Sequence, residues 1–354
     1  MIVVEDDGTR VGPVRSCGAT ALEHIANRPI AHHVLDALEA AGAEEVIVIS
    51  SAAMAGDVRE CLAAPERPSD KRLRHVEHRG PLDLSTALRL AAPIVDRAPC
   101  IVHLASGLLG EPLAPCLDQL QGDSPDAVMF VHQGPAPDEH LSSATQEMLH
   151  IAELDPERAA LGIAGVWLFG PGALNHLSAA WQAAAWQEGG AVDPANVVER
   201  ISAEGGSFHV RLVDTWRRYA GDAADLLELN RIALDRLESE LHRPSNHGNQ
   251  IEGRVRIDER ASVRASVIVG PVVIGPEAYV ADAYIGPYTS VGAGARIEGA
   301  EVERSIICAG ASITHVGGRL MASVVGRDAR IFRDFSLPRA LRLRIGDGTE
   351  VALY

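Results

Sequence analysis

The sequence predicts two folds in series: a Rossmann-like α/β domain, with a mostly parallel sheet and helices on both sides, and then a parallel β-helix of hexapeptide repeats. Three observations predict it. The chain has 354 residues, about twice an ordinary domain. Up to residue 241 short apolar strands alternate with amphipathic helical stretches, the grammar of a parallel sheet covered by helices. From residue 251 onward, β-branched residues recur at intervals of six.

In order along the chain, Ile2-Val3-Val4 reads as a short buried strand running into Asp6-Asp7-Gly8. Pro29 to Ala41 has helical spacing, with Ile30, Val34, Leu35 and Leu38 on one face, and Gly42 ends it. Glu45 to Ser50 is a buried strand. A helix over 83–96, a strand over 100–104, a helix over 111–120 and a strand over 127–132 continue the rhythm. A long helix from Ala223 to Leu241 closes the first domain, 1–241, and the polar stretch 242–250 (HRPSNHGNQ) reads as a linker.

In 251–354 the repeated aliphatics are Ile251, Ile257, Val263, Val269, Ile274 and Val280. The phase slips by one and resumes at Ile285, Val291 and Ile297, followed by Ile307, Ile313, Val325 and Ile331. A period of six marks a triangular coil in which each hexad forms one side and each repeated aliphatic stacks inward.

Composition excludes several classes. Apolar residues make up 47% and charged residues 23%, which is globular and neither disordered nor collagen-like. The net charge of −16 with no clustered cationic face disfavours nucleic-acid binding. No apolar run reaches the ~18 residues of a membrane span. The acidic start MIVVEDDGTR lacks a signal-peptide pattern, so a cytoplasmic setting is expected. Five scattered cysteines without a CxxC pair suggest neither a disulfide framework nor a zinc site. Of 32 cationic residues only Lys71 is a lysine, so no mechanism needing several lysines applies.

Particular segments carry a family likeness. SVIVGPVVIG, AYIGPYTSVGAGARI, EVERSII, SVVGRDARI and LRIGDGTEVAL in the second part, with NRPIAHHVLDALEAAGAEEVIVIS, GVWLFGPGAL and DLLELNRIALD in the first, resemble the long-form glucose-1-phosphate thymidylyltransferases. These belong to the sugar-phosphate nucleotidyltransferase superfamily, and the likeness covers nearly the whole chain. It implies a left-handed β-helix at the C-terminus. It also implies a chemistry in which a sugar 1-phosphate attacks the α-phosphate of a nucleoside triphosphate. That reaction wants a glycine-rich loop for the phosphates, cations for the developing charge, and carboxylates for Mg²⁺.

Carried over residue by residue, the resemblance shows departures. Gly8-Thr9-Arg10 keeps the end of the phosphate loop, but Asp6-Asp7 replaces its glycine pair and puts like charge where phosphate oxygens would rest. Thr20 stands at the position of the family lysine. Ser106, after the strand Ile101–Leu104, stands at the first metal aspartate, and Tyr219 stands at the second. Asp222, three residues on, binds metal only in a rebuilt loop. In the base pocket His78 replaces a glutamine and Asp83 a glycine. On the sugar side Glu153 and Gly165 are retained, although glycine at Gly165 also serves simple strand packing.

The histidines show no HxxxH or HExxH pattern and read as structural or surface groups. His315 is the histidine within the coils; an acyltransferase role for it is the lesser reading. The expected function is therefore a degenerate paralogue: a ligand-binding, regulatory or assembly protein of nucleotide-sugar or natural-product metabolism that has lost the metal and phosphate chemistry. Two alternatives stand beside it. One is an active sugar-1-phosphate nucleotidyltransferase with rebuilt loops. The other is a repurposed enzyme using Asp6, Asp7 and Asp222 in the same cleft. No cofactor is expected, with Mg²⁺ needed only if nucleotidyl transfer is retained. Expected partners are a sugar phosphate or nucleotide, further copies of the chain joined through the β-helix, and a related active subunit. Neither nucleic acid nor a membrane is expected.

Overall fold

The computed structural model describes residues 1–4, 20–63, 72–80, 82, 84–117, 126–133, 161–171, 173, 201, 205–238, 248–337 and 351–352. Two units emerge. The first holds the described residues of Met1–Asp7, Ala19–Leu22 and Ile30–Arg218, and the second those of Glu23–Pro29 and Tyr219–Tyr354. Among the described residues no helix is long and apolar enough to cross a membrane.

The chain order begins with β1 (Ile2–Val4), β2 (His24–Ile25), β3 (Arg28–Pro29), α1 (Ile30–Ala40), β4 (Glu45–Ser51), α2 (Ala55–Leu62) and β5 (Arg72–His78). It continues through α3 (Leu84–Val95), β6 (Cys100–Leu104), β7 (Gly107–Leu109), α4 (Ala114–Leu117), β8 (Ala127–Gln133) and β9 (Leu161–Phe169). β10 (Phe208–Val213) and β11 (Trp216–Arg218) complete the first unit. Its main sheet has the order β10-β8-β9-β6-β1-β4-β5. All neighbours run parallel except β9, which is antiparallel to both β6 and β8.

Both sheet faces are covered, as expected. On one, α3 packs Leu84, Ala87, Leu88, Ala91 and Ala92 against Val3, Ile47, Ile49, Val102 and Trp167. The alternate strand residues Ile2, Val4, Val46 and Val48 are equally buried on the other. Helix α1 buries Ile30, Val34, Leu35 and Leu38 as one stripe. Gly42, at φ 86°, stops the helix: its N–H donates to the Glu39 carbonyl, and the Ala43 N–H to the Leu38 carbonyl. This Schellman pair satisfies the last carbonyls.

Two expected helices are shorter. The one placed at 111–120 begins only at Ala114, because Glu111 turns outward to accept from the Asp214 N–H and to pair with Arg211. Its stretch 118–120 lies outside the described residues. The helix placed at 223–241 is α5 (Ala223–Asp235). It tightens at Arg236 and Leu237, whose N–H groups donate three residues back, so that Leu237 buries beside Leu234 and Val273. Residues 239–241 lie outside the description, and of the expected linker only 248–250 are described.

The second unit begins with the β2–β3 hairpin, whose turn residues Ala26 and Asn27 are both left-handed (φ 46° and 64°). That is the geometry of a type I′ turn, which suits the twist of a two-residue hairpin. Its tip docks on α5 and the coils. The Ala26 N–H donates to Asn230 Oδ1 (2.8 Å), Asn27 Nδ2 donates to the Val291 carbonyl (2.7 Å), and Asn230 Nδ2 donates to the Tyr288 carbonyl (3.0 Å). The Ser290 hydroxyl also donates to Asn230 Oδ1.

Fifteen short strands, β12 to β26, then run from Gln250 to Phe332 as three five-stranded parallel sheets. The inward columns are Ile251–Ile268–Ile285–Val302–Leu320, Ile257–Ile274–Val291–Ile307–Val325 and Val263–Val280–Ile297–Ile313–Ile331. This matches the left-handed β-helix that the resemblance implied. One assignment is corrected: Ile268, fully buried, holds the inward position, and Val269 lies on the flank. The third side of the coil closes in five residues, from Val263 to Ile268, so a strict count of six overshoots by one.

Truncating the two neighbours tests this register. Ile268→Ala is expected to cost about 3 kcal/mol in denaturant unfolding, and Val269→Ala under about 1 kcal/mol. Equal costs would place the inward column elsewhere.

Candidate active site

Among its described residues the first unit carries a polar cluster at the carboxyl end of β6. Past Leu104 the chain turns through Ala105 and Ser106 into β7, and β7 pairs antiparallel with β11 in the register Gly107↔Arg218 and Leu109↔Trp216. Ser106 is buried there, 1% exposed. The Arg218 Nε–H donates to its hydroxyl at 3.3 Å. Two residues earlier on the same flank of β11, the Trp216 ring lies 5.6 Å from that of buried His103. The glycine at Gly107 makes room for it, since a Cβ there would stand 2.5 Å from the indole. The Trp216 indole N–H is buried without a protein hydrogen-bond partner.

Other expected residues are placed separately. His78 ends β5, opposite Ser51 in register, and its carbonyl accepts from the Ala52 N–H. Gly165 on β9 sits against Leu104: a Cβ there would meet the leucine side chain at 2.4 Å. Close packing thus accounts for this glycine. Thr20 opens a short 3₁₀ turn, Thr20–Leu22, and is half-buried. Asp6, Asp7, Gly8, Thr9, Arg10, Asp83 and Glu153 lie outside the described residues.

In the second unit, Tyr219 is 2% exposed. Burial raises its phenol well above the usual tyrosine range, and the charges of Glu23, Asp225 and Asp222 raise it further. The group is a neutral phenol, not a phenolate ligand. Asp222 has a local role as the N-cap of α5, its carboxylate accepting from the Ala224 N–H at 3.0 Å. Asp225 likewise accepts from the Ala220 N–H. These carboxylates hold the start of the helix, where backbone N–H groups need acceptors. In the same unit His315, at φ 53°, is exposed with its ring edge-on to Phe335, 6.3 Å away.

The donor set can be tested against Mg²⁺, which asks for carboxylate and carbonyl oxygens. At the first expected position a guanidinium lies on a serine hydroxyl, and at the second stands a neutral phenol. A bound cation beside a guanidinium is repelled, so these two positions do not fit the ion. Among the described residues no three His, Cys, Asp or Glu side chains are grouped to hold a metal. Reading the sequence against the family finds Ser106 but misses Arg218. The available signal was Arg217-Arg218 immediately before the Tyr219 position.

No protein-family model matches the chain. A glucose-1-phosphate thymidylyltransferase of Streptomyces griseus is 25% identical over 354 residues, spanning 98% of this chain and 97% of its own. One of Streptomyces antibioticus is 26% identical over 374 residues, spanning 100% and 99%. The low-salt glycan biosynthesis nucleotidyltransferase Agl11 of Haloferax volcanii is 23% identical over 356 residues, spanning 98% and 97%. A solved Bacillus anthracis structure, described as a candidate glucose-1-phosphate thymidylyltransferase in complex with sucrose, superposes with a TM-score of 0.54. It covers 68% of this chain and 96% of its own at 13% identity, a likeness of fold.

The buried phenol makes alkaline stability a test of the second unit. Tyr219 stays protonated in the fold while an unfolded tyrosine ionises near pH 10, so stability falls as pH rises above 10. Tyr219→Phe is expected to remove about 1 kcal/mol of that loss per pH unit in denaturant titrations. Parallel losses in both proteins would place the phenol in contact with water. Along nearly its whole length in sequence, and in fold, this chain is similar to proteins named glucose-1-phosphate thymidylyltransferase.

Proposed function

We propose that the chain is a non-catalytic paralogue of the sugar-phosphate nucleotidyltransferases, a protein that keeps the ligand-binding fold and has lost nucleotidyl transfer. One observation carries the reading: the hydroxyl of Ser106, at the position of a metal carboxylate, accepts from the Arg218 guanidinium. Nucleotidyl transfer without the ion lacks the charge that neutralises the leaving pyrophosphate. Losing a single charge-stabilising group costs ~10²–10³ in rate, and here the lysine position is also a threonine. The names of the relatives support a sugar phosphate or a nucleotide as ligand; a regulatory or assembly role in a cytoplasmic nucleotide-sugar pathway is the rest of this proposal.

Pyrophosphate release should be assayed with glucose 1-phosphate and dTTP, UTP or ATP, with and without Mg²⁺, alongside calorimetric binding of each compound. Binding without turnover is expected. Turnover with any triphosphate overturns the reading and means that the loops have been rebuilt.

Self-association through the β-helix belongs to the same reading. Phe332, Phe335 and Leu337, in and just after the last described coil, are 56%, 71% and 83% exposed. Large apolar groups clustered this way favour burial against another surface. Light scattering is expected to give a mass above one chain for the native protein, and a lower mass for Phe335→Asp. A native monomer would remove this part.

A further inference from the structure

The three sides of the coil differ in what they present outward. The side of the column Ile257–Ile274–Val291–Ile307–Val325 carries α5, with Leu234 and Leu237 on Val273 and Asn230 on Ser290. The other two sides differ in charge. Beside the column Val263–Val280–Ile297–Ile313–Ile331 the strands turn three exposed arginines outward, Arg264, Arg296 and Arg330, against one acid, Glu298. Beside the column Ile251–Ile268–Ile285–Val302–Leu320 they turn out three acids, Glu252, Glu301 and Glu303, against one arginine, Arg319.

The arginine side is stacked and only partly neutralised. Arg264 lies 5.7 Å and Arg296 4.5 Å from the centre of the Tyr279 ring, and Arg330 lies 5.4 Å from that of Phe332. Arg296 is paired with Glu298, whereas Arg264 and Arg330 meet no carboxylate among the described residues. A guanidinium stacked on a ring keeps its N–H edge for a carboxylate. On the acidic side Arg319 is shared by Glu301 and Glu303, and Glu252 accepts from the Gln250 amide.

Both sides repeat once per rung, at about 4.8 Å, and each is five rungs long. Laid together in the same direction they match. At the first rung Arg264 meets Glu252. At the second Tyr279 meets Val267 and Val269. At the fifth the exposed Phe332 meets the exposed Met321, a favourable ring–sulfur contact, and Arg330 comes within one rung of Glu301 and Glu303. The opposite direction sets Arg264 against Arg319 and Phe332 against Glu252. Two arginine sides laid on each other would repel.

We propose that the occupant of the arginine side is a second copy of this chain, which seats its acidic side there with the two coils parallel and their rungs in register. The contact joins unlike surfaces, so it closes into a ring or runs on as a row of copies and does not stop at a two-fold pair. The inference deepens the self-association reading and is independent of the loss of catalysis.

The test is sedimentation equilibrium with light scattering on the full chain. Arg264→Glu and Glu252→Arg should each weaken association about 10-fold or more, because each sets like charges together. A chain carrying both reversals should return to within about three-fold of the native affinity, since the pair is restored with its signs exchanged. Raising salt to about 0.5 M should weaken the native assembly. The first rung lies about 19 Å from the fifth, so a loss at Arg264 does not act through Phe335 and the coil end.

Native association in both single variants overturns the inference and leaves association through the coil end standing. So does a double variant no better than the singles, or a native mass that stops at two copies. A native monomer overturns both readings. If circular dichroism shows that Arg264→Glu does not fold, Arg264→Gln and the salt series decide: a mass unmoved by either overturns the inference.

Discussion

The second unit depends on one buried amide. Asn230 is 1% exposed, and a primary amide so deeply buried must find partners or cost stability. It finds them on two pieces of chain far from the helix in sequence: the hairpin turn through the Ala26 N–H, and the coil through the Tyr288 carbonyl and the Ser290 hydroxyl. No pair of these elements is adjacent in sequence, so a helix, a hairpin and a β-helix rung share one polar junction. Asn27 adds a second bond from the same turn to the Val291 carbonyl. The turn can deliver both because Ala26 and Asn27 are left-handed, and asparagine tolerates that region better than most residues. Around this junction Tyr288, Asp235, Arg231 and Arg254 form a further ring of polar contacts. They are more exposed than Asn230, and exposed ion pairs contribute little. The buried amide is what fixes the register of helix against coil.

The first unit is governed by a different constraint, the charge at the end of β6. A buried hydroxyl that accepts from a guanidinium is a poor ligand for a metal ion, because the fixed positive charge beside it repels the cation. Arg218 occupies the hydroxyl. It comes from the ribbon strand β11, whose register against β7 is secured by the Trp216 ring lying on Gly107. Packing of an indole on a glycine therefore determines an electrostatic outcome two residues along the strand. In the second unit the corresponding position is a phenol kept neutral by burial and by three acidic neighbours. Its carboxylates Asp222 and Asp225 are committed to backbone N–H groups at the start of α5.

The fold was legible wherever a period could be counted. The alternation of apolar strands and amphipathic helices sufficed for β1, β4, β6 and β8, whose cores are apolar, while the edge strand β5 (RLRHVEH) is half exposed and carries no such signal. The β-helix showed itself through its six-residue rhythm, and the one misplacement, Val269 for Ile268, arose because one side of the coil is a residue shorter. Neighbouring valines and isoleucines give no compositional hint of which one points inward. Likewise, nothing in the composition of Ala223–Leu241 announces that the helix stops at Asp235. The stop serves a contact of Leu237 with Val273, made far away in sequence.

The site was legible only as a set of absences. Comparison with a family pattern reveals that Ser106 and Tyr219 are not carboxylates, and it cannot say what replaced their function. The structure shows Ser106 met by Arg218, which is distant in sequence and reaches it through an antiparallel ribbon of three residues per strand. Short ribbons leave almost no periodic signal. The difference matters for function. A site stripped of its carboxylates and left empty of charge would have lost the ligand along with the metal. A guanidinium on Ser106 puts a fixed monovalent charge where the proposed reading has lost a mobile divalent one. The fixed charge can attract a phosphate at ground state, but it cannot bridge two phosphates and follow the leaving group as an ion does. On the non-catalytic reading proposed above, retained affinity without transfer would follow from that difference.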